Sequence, residues 1–179
     1  MALPSRGLAD VVAATTALSD IDGLAGLLSY RGYDINQLAE SATFEEVAYL
    51  LQRGSPPDTD DLARFGAEID EGRELGALVT ADLGPVAHHQ EPMEALRTLV
   101  SLASAADPDK DSNAADANLR KAARLTAQQP VLVAAYDAAR HGREVPPTDP
   151  ELSLAGNFLF QLTGTRPGTR AAKILDICL

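Results

Sequence analysis

Three histidines are the side chains of this 179-residue sequence best suited to metal binding or to proton transfer near neutral pH. His88 and His89 are adjacent, so their side chains would point to different sides of a helix or strand. No third ligand stands at metal-binding spacing, since Glu91 and Glu94 are acidic residues typical of a helix start. We therefore predict no metal site and place the histidine pair in a solvated loop. His141 is predicted to be a cation that caps a helix C-terminus.

Glycines near the N-terminus form a pattern that could indicate a phosphate-binding loop. Gly23, Gly26 and Gly32 do not follow the G-x-x-x-x-G-K-[ST] order, and the helix after them is predicted to open with Asp34, whose charge repels phosphate. We interpret them as turn glycines. A serine nucleophile is not predicted either, because no His and Asp can be assigned as its partners. The serines considered are Ser29, Ser41, Ser101 and Ser153.

Acidic residues surround Arg31 in the same segment. Asp20, Asp22 and Asp34 are predicted to form a local network of ion pairs and turns with its guanidinium group. A role for this cluster at an interface is the alternative. Neither interpretation assigns a catalytic group to the segment.

The composition limits the classes of partner. Hydrophobic residues make up 45% of the chain and charged residues 23%, which is typical of a globular domain. The net charge of −11 and a pI near 4.6 predict repulsion from phosphate backbones and anionic lipids, so nucleic acid and membrane are not expected partners. Polyanionic small molecules are disfavoured for the same reason, since the sequence shows no basic cluster that would hold them.

Cys178 is the single cysteine, which excludes an internal disulfide and fits a reducing cytosol. Its apolar neighbours at helical spacing predict a buried small hydrophobe rather than a reactive thiol. The sequence contains no run of about 18 apolar residues, and no apolar core of a signal peptide follows the early Arg6. We expect a soluble, cytoplasmic protein.

Residues 15–31 carry the pattern of a β-hairpin. Short strands at residues 18–21 and 27–30 flank a tight turn predicted at Asp22 and Gly23. Helical periodicity dominates from about residue 34 onward, with Asp34 as the first N-cap. The sequence therefore predicts a mainly α, multi-helical fold with a small N-terminal β-hairpin.

Capping residues and prolines divide the sequence after residue 34 into separate predicted helices. Thr43 and Glu46 form a predicted capping box, and Pro92 suits the first position of a helix. Pro130 must kink one helix or separate two, because it lacks a backbone donor. Residues 107–113 are predicted to be an exposed loop. Helices are predicted at residues 44–53, 58–74, 75–83, 92–106, 148–162 and 171–179.

Residues 19–35 combine glycines, tyrosines and carboxylates at a spacing that is typical of one protein family. They read S-D-I-D-G-L-A-G-L-L-S-Y-R-G-Y-D-I. This run closely resembles the N-terminal segment of citrate synthases and 2-methylcitrate synthases, which carry a similar I-D-G-x-x-G-x-L-x-Y-R-G-Y-D-I sequence. Three later runs resemble family landmarks in the family's order: residues 44–51, 92–98 and 157–164. The resemblance covers residues 7–179, nearly the whole chain.

The resemblance implies a fold and a reaction. It identifies residues 1–179 as the N-terminal part of a citrate synthase-like large domain. In the family, a histidine and an aspartate convert an acyl-CoA thioester to its enol or enolate, which attacks the ketone of oxaloacetate. Hydrolysis of the product thioester then releases citrate and coenzyme A. The same chemistry with propionyl-CoA gives methylcitrate.

The resemblance also implies that the chemistry lies outside this chain. The family segment like residues 171–179 continues into a His-x-x-His element that binds the oxo-acid. The catalytic His and Asp residues and the groups that hold coenzyme A come later still. We therefore expect no catalytic, cofactor-binding or metal-binding residue here, and the acyl-CoA co-substrate site is not in this chain.

Two hypotheses of different classes follow. The first is the N-terminal portion of a citrate synthase-like enzyme of the tricarboxylic acid cycle, inactive alone and completed by its missing C-terminal half. The alternative is a non-catalytic helical dimerisation or regulatory module derived from the enzyme. Family members assemble as dimers, and residues 153–179 resemble helices that pack across the dimer contact. Preference for acetyl-CoA or propionyl-CoA is left open.

The last predicted helix, at residues 171–179, has an apolar face and lacks the usual C-terminal signals. Ile174, Ile177, Cys178 and Leu179 would expose this face unless another segment covers it. We therefore expect the isolated chain to self-associate or to be marginally stable.

Overall fold

A three-stranded antiparallel sheet comes first in this computed structural model, which describes residues 14–179. The strands are β1 (Ser19–Asp22), β2 (Leu27–Tyr30) and β3 (Tyr33–Asp34), in the order β1-β2-β3. Ser19 pairs with Tyr30 and Asp22 with Leu27, which confirms the predicted hairpin. The prediction about Arg6 and a signal peptide lies outside the described residues.

The turns of this sheet differ from the prediction. Four residues, not a tight two-residue turn, separate β1 from β2. Asp22 Oδ1 accepts hydrogen bonds from the backbone N–H groups of Leu24 and Ala25, and Gly26 supplies the positive φ of 68°. The unpredicted β3 follows a two-residue turn in which Arg31 and Gly32 have φ values of 51° and 88°. Two successive positive φ values match the twist of a tight hairpin.

Eight helices follow among the described residues, so the predicted mainly α class is confirmed. Their bounds are α1 (Ile35–Ser41), α2 (Phe44–Arg53), α3 (Thr59–Gly72), α4 (Ala77–His89), α5 (Pro92–Ala105), α6 (Ala115–Arg140), α7 (Leu154–Thr163) and α8 (Thr169–Cys178).

Several helix termini follow directly from the sequence. Asp34 caps α1 by accepting from Asn36 N–H at 2.8 Å. The Thr43 and Glu46 side chains form the predicted capping box of α2, and Pro92 occupies the start of α5. The first N–H groups of a helix have no partner inside it. The Asp34 and Thr43 side chains accept from such groups, whereas Pro92 has no N–H to satisfy. Local sequence therefore predicts these termini.

Two helices contain an internal proline, and the prediction was wrong for the first of them, Pro85. The element expected to stop at Gly84-Pro85 continues through Pro85 to His89 as α4. Pro130 lies inside α6, which is one helix of 26 residues. Packing of α6 against α3, α4, α5 and α7 offsets the cost of the lost hydrogen bond.

The core consists of two clusters that share α6. The first joins α4, α5 and α6 through Val79, Val86, Ala87, Ala95, Leu99, Leu132 and Tyr136. The second joins α2, α3, α6 and α7 through Ala48, Phe65, Ile69, Ala123, Ala127 and Leu154. Alanines on α6 let neighbouring helices approach closely, so this helix forms the centre of the fold.

The helix predicted from residue 148 begins later, at Leu154, with Ser153 as its N-cap. Asn157 explains the difference, because it holds the preceding segment in a loop. Its Oδ1 accepts from Asp149 N–H at 2.8 Å, and its Nδ2 donates to the carbonyls of Asp149 and Leu152. The side chain is 2% exposed, so these bonds are shielded from water.

Helix α8 is the least covered helix of the described part. Ile174 and Ile177 are 55% and 49% exposed, and Leu179 beyond the helix is 57% exposed. The prediction that Cys178 is buried is wrong: its side chain is exposed, because no other described element covers this end of the helix. Within residues 14–179, none of the helices combines the length and the apolar character that crossing a bilayer requires.

Candidate functional site

An apolar groove with a volume of about 560 Å³ lies between the N-terminal helices and the end of α8. We call this feature the α1–α2–α8 groove. Its apolar lining consists of Tyr30, Ile35, Leu38, Ala39, Ala42, Phe44, Val47, Ala48, Leu51, Ile177, Cys178 and Leu179. Local sequence patterns do not reveal the groove, because its walls come from segments far apart in the chain.

A hydrogen bond of long sequence separation fixes the geometry of the groove. The backbone N–H of Phe44, in the first turn of α2, donates to Asp176 Oδ1 on α8 at 3.1 Å. Lys173 pairs with the other oxygen of the same carboxylate at 3.1 Å. A carboxylate at a helix N-terminus is electrostatically favourable, so this contact holds α8 against α2.

The polar part of the groove is small. Gln52 donates from Nε2 to Thr126 Oγ1 at 3.2 Å, and Thr126 in turn donates to the Ala122 carbonyl. Gln52 Oε1 is buried and receives no hydrogen bond from any residue in the described range. Asp176 supplies the single charged side chain among the described lining residues. The groove therefore lacks a paired acid and base and suits an apolar ligand.

The histidines do not converge on a site. His88 and His89 form the exposed last turn of α4 rather than the predicted loop, because α4 continues past Pro85. His141 is the C-cap of α6, as predicted, and its Nδ1 lies 2.8 Å from the Asp137 carbonyl oxygen. Across residues 14–179, no group of three or more His, Cys, Asp or Glu side chains could hold a metal ion.

Arg31 does not form the predicted ion-pair network. Its Nη2 donates to the Leu51 carbonyl at 2.8 Å, near the C-terminus of α2, where a cation complements the helix dipole. Asp22 and Asp34 instead accept backbone N–H groups in a turn and at a helix N-cap. The hydrogen bond from Asn36 N–H lowers the pKa of Asp34. These contacts are structural and join the sheet to α2.

An unpredicted ion-pair cluster lies where residues 107–113 meet α6. Arg124 donates to both oxygens of Asp107, at 3.0 and 2.7 Å, and Arg120 donates to both oxygens of Asp109. Burial alone would raise the pKa of Asp107, but the bonds from Arg124 and from Asp109 N–H outweigh it, and the pKa is lowered. Hydrogen bonds from Arg120 and Arg124 lower the pKa of Asp109. Residues 107–113 therefore form a mostly exposed loop, as predicted, and these ion pairs hold it against α6.

The glycine and serine candidates occupy structural positions. Gly26 and Gly32 adopt positive φ in turns, as expected of turn glycines. Ser153 caps α7 by accepting from Gly156 N–H at 3.1 Å, and Ser41 donates to the Gln37 carbonyl inside α1. Both hydroxyls therefore bond to backbone groups of helices, which is a structural role.

Comparisons with proteins of known sequence agree on one family. The family model described as the citrate synthase C-terminal domain matches residues 7–179. The citrate synthase of Haloferax volcanii is 42% identical over 178 residues, which cover 97% of this chain and 47% of that protein. The 2-methylcitrate synthase of Mycobacterium tuberculosis H37Rv is 38% identical over 173 residues, covering 96% of this chain and 43% of that protein.

Comparison with solved structures agrees with the sequence matches. Citrate synthase from Pyrobaculum aerophilum superposes with a TM-score of 0.91 at 32% identity, covering 96% of this chain and 45% of that one. The Thermotoga maritima citrate synthase gives a TM-score of 0.78 at 28% identity, covering 96% and 44%. The chain spans about half the length of the curated relatives it matches. By sequence and by fold, the chain belongs to the citrate synthase family.

Proposed function

We propose that this chain is the N-terminal part of a citrate synthase-like large domain, and that it acts in the family reaction only together with the part of the fold it does not cover. The observation that carries the proposal is the close superposition on the Pyrobaculum aerophilum enzyme, over 96% of this chain but 45% of that one. The reaction joins acetyl-CoA or propionyl-CoA to oxaloacetate and hydrolyses the thioester, giving citrate or methylcitrate and coenzyme A.

The side chains described above support a scaffold role within that enzyme. Enolisation of a thioester needs a general acid and a general base within hydrogen-bond reach of the substrate. His88, His89 and His141 are dispersed at helix ends, and the described groove contains no acid–base pair. We therefore assign the catalytic, oxaloacetate-binding and coenzyme A-binding groups to residues beyond this sequence, and no metal or cofactor site to this chain.

The assembly and location of the protein belong to the same proposal. Family resemblance supports a homodimer in which residues 153–179 contribute to the contact, and a cytoplasmic enzyme of the tricarboxylic acid cycle. The exposed apolar side chains of Ile174 and Ile177 on α8 support an interface at this end of the molecule.

An assay of the purified chain tests the scaffold role. Release of free thiol from acetyl-CoA or propionyl-CoA in the presence of oxaloacetate is expected not to exceed a heat-treated control. Removing one member of a catalytic set commonly costs several orders of magnitude in rate. Oxaloacetate-dependent release by the chain alone would overturn the proposal and show that a catalytic group lies within these residues.

A further inference from the structure

We draw no further inference here: the strongest candidate, the exposed apolar patch at Ile21, Leu24 and Leu27 on the N-terminal hairpin, carries no proposal, because nothing in the structure shows what covers it.

Discussion

The contact between α3 and α6 can be tested at Gly72, the last residue of α3. A Cβ atom added there would lie 2.9 Å from Ala127 Cβ and 3.0 Å from Arg124 Cα. The second of these is a backbone atom of the central helix, so a side-chain rotation cannot relieve the clash. Overpacking of this kind lowers the free energy of unfolding by about 1–3 kcal/mol. The higher helix propensity of alanine raises it by at most about 1 kcal/mol.

Gly72→Ala should therefore lower the free energy of unfolding by about 1–2 kcal/mol. Gly66→Ala in the same helix is the control, since no other heavy atom in the described range lies within 4 Å of its added Cβ. That variant should gain about 0.5–1 kcal/mol from backbone entropy. Urea denaturation followed by circular dichroism measures both, with an unchanged m-value required. A Gly72→Ala variant as stable as Gly66→Ala would refute the close packing of these helices.

Three further predictions concern other contacts. The pKa of Asp107 is lowered in the folded protein, so the ionised side chain stabilises the fold at pH values above 3.8, the ordinary pKa of aspartate. This stabilisation is lost as the pH falls below that value. In urea titrations, the difference in unfolding free energy between the wild type and Asp107→Asn should therefore shrink on acidification. Asn157→Ala leaves buried backbone groups without partners and should lower the melting temperature through a loss of about 1–3 kcal/mol; unchanged melting would contradict the loop assignment. The isolated chain should self-associate in light scattering, and Ile177→Asp should reduce this association; a stable monomer would count against an uncovered α8.

The sequence predicted those features that depend on neighbouring residues. The capping box of Thr43 and Glu46 and the N1 proline Pro92 were confirmed, because each acts within one helical turn. Pro85 was misread for the opposite reason, and for Pro130 the sequence left two alternatives, of which the structure has the single helix. Their helices persist through burial against α6 and its neighbours, which a local rule for proline does not include.

The groove could not be predicted from local patterns. Phe44 and Asp176, whose hydrogen bond closes it, stand 132 positions apart in the sequence. The hydrogen-bond partner of Arg31 was also not predicted. Three carboxylates lie near it in the sequence, but in the fold its guanidinium group donates to the Leu51 carbonyl, which has no partner within α2. The Arg31-Gly32 pair could have indicated the third strand, since glycine readily supplies one of the two positive φ values that the turn needs.

The most direct test of the account is the activity of the completed protein. A fusion joins this chain, with all its native residues, to the part of the Acidithiobacillus ferridurans citrate synthase that it does not cover. The fusion is assayed for thiol release from acetyl-CoA and propionyl-CoA. We expect oxaloacetate-dependent release from the fusion and none from either part alone. A fusion that is folded by circular dichroism yet inactive, beside a fully active Acidithiobacillus enzyme, would contradict the claim that this chain serves as part of a citrate synthase.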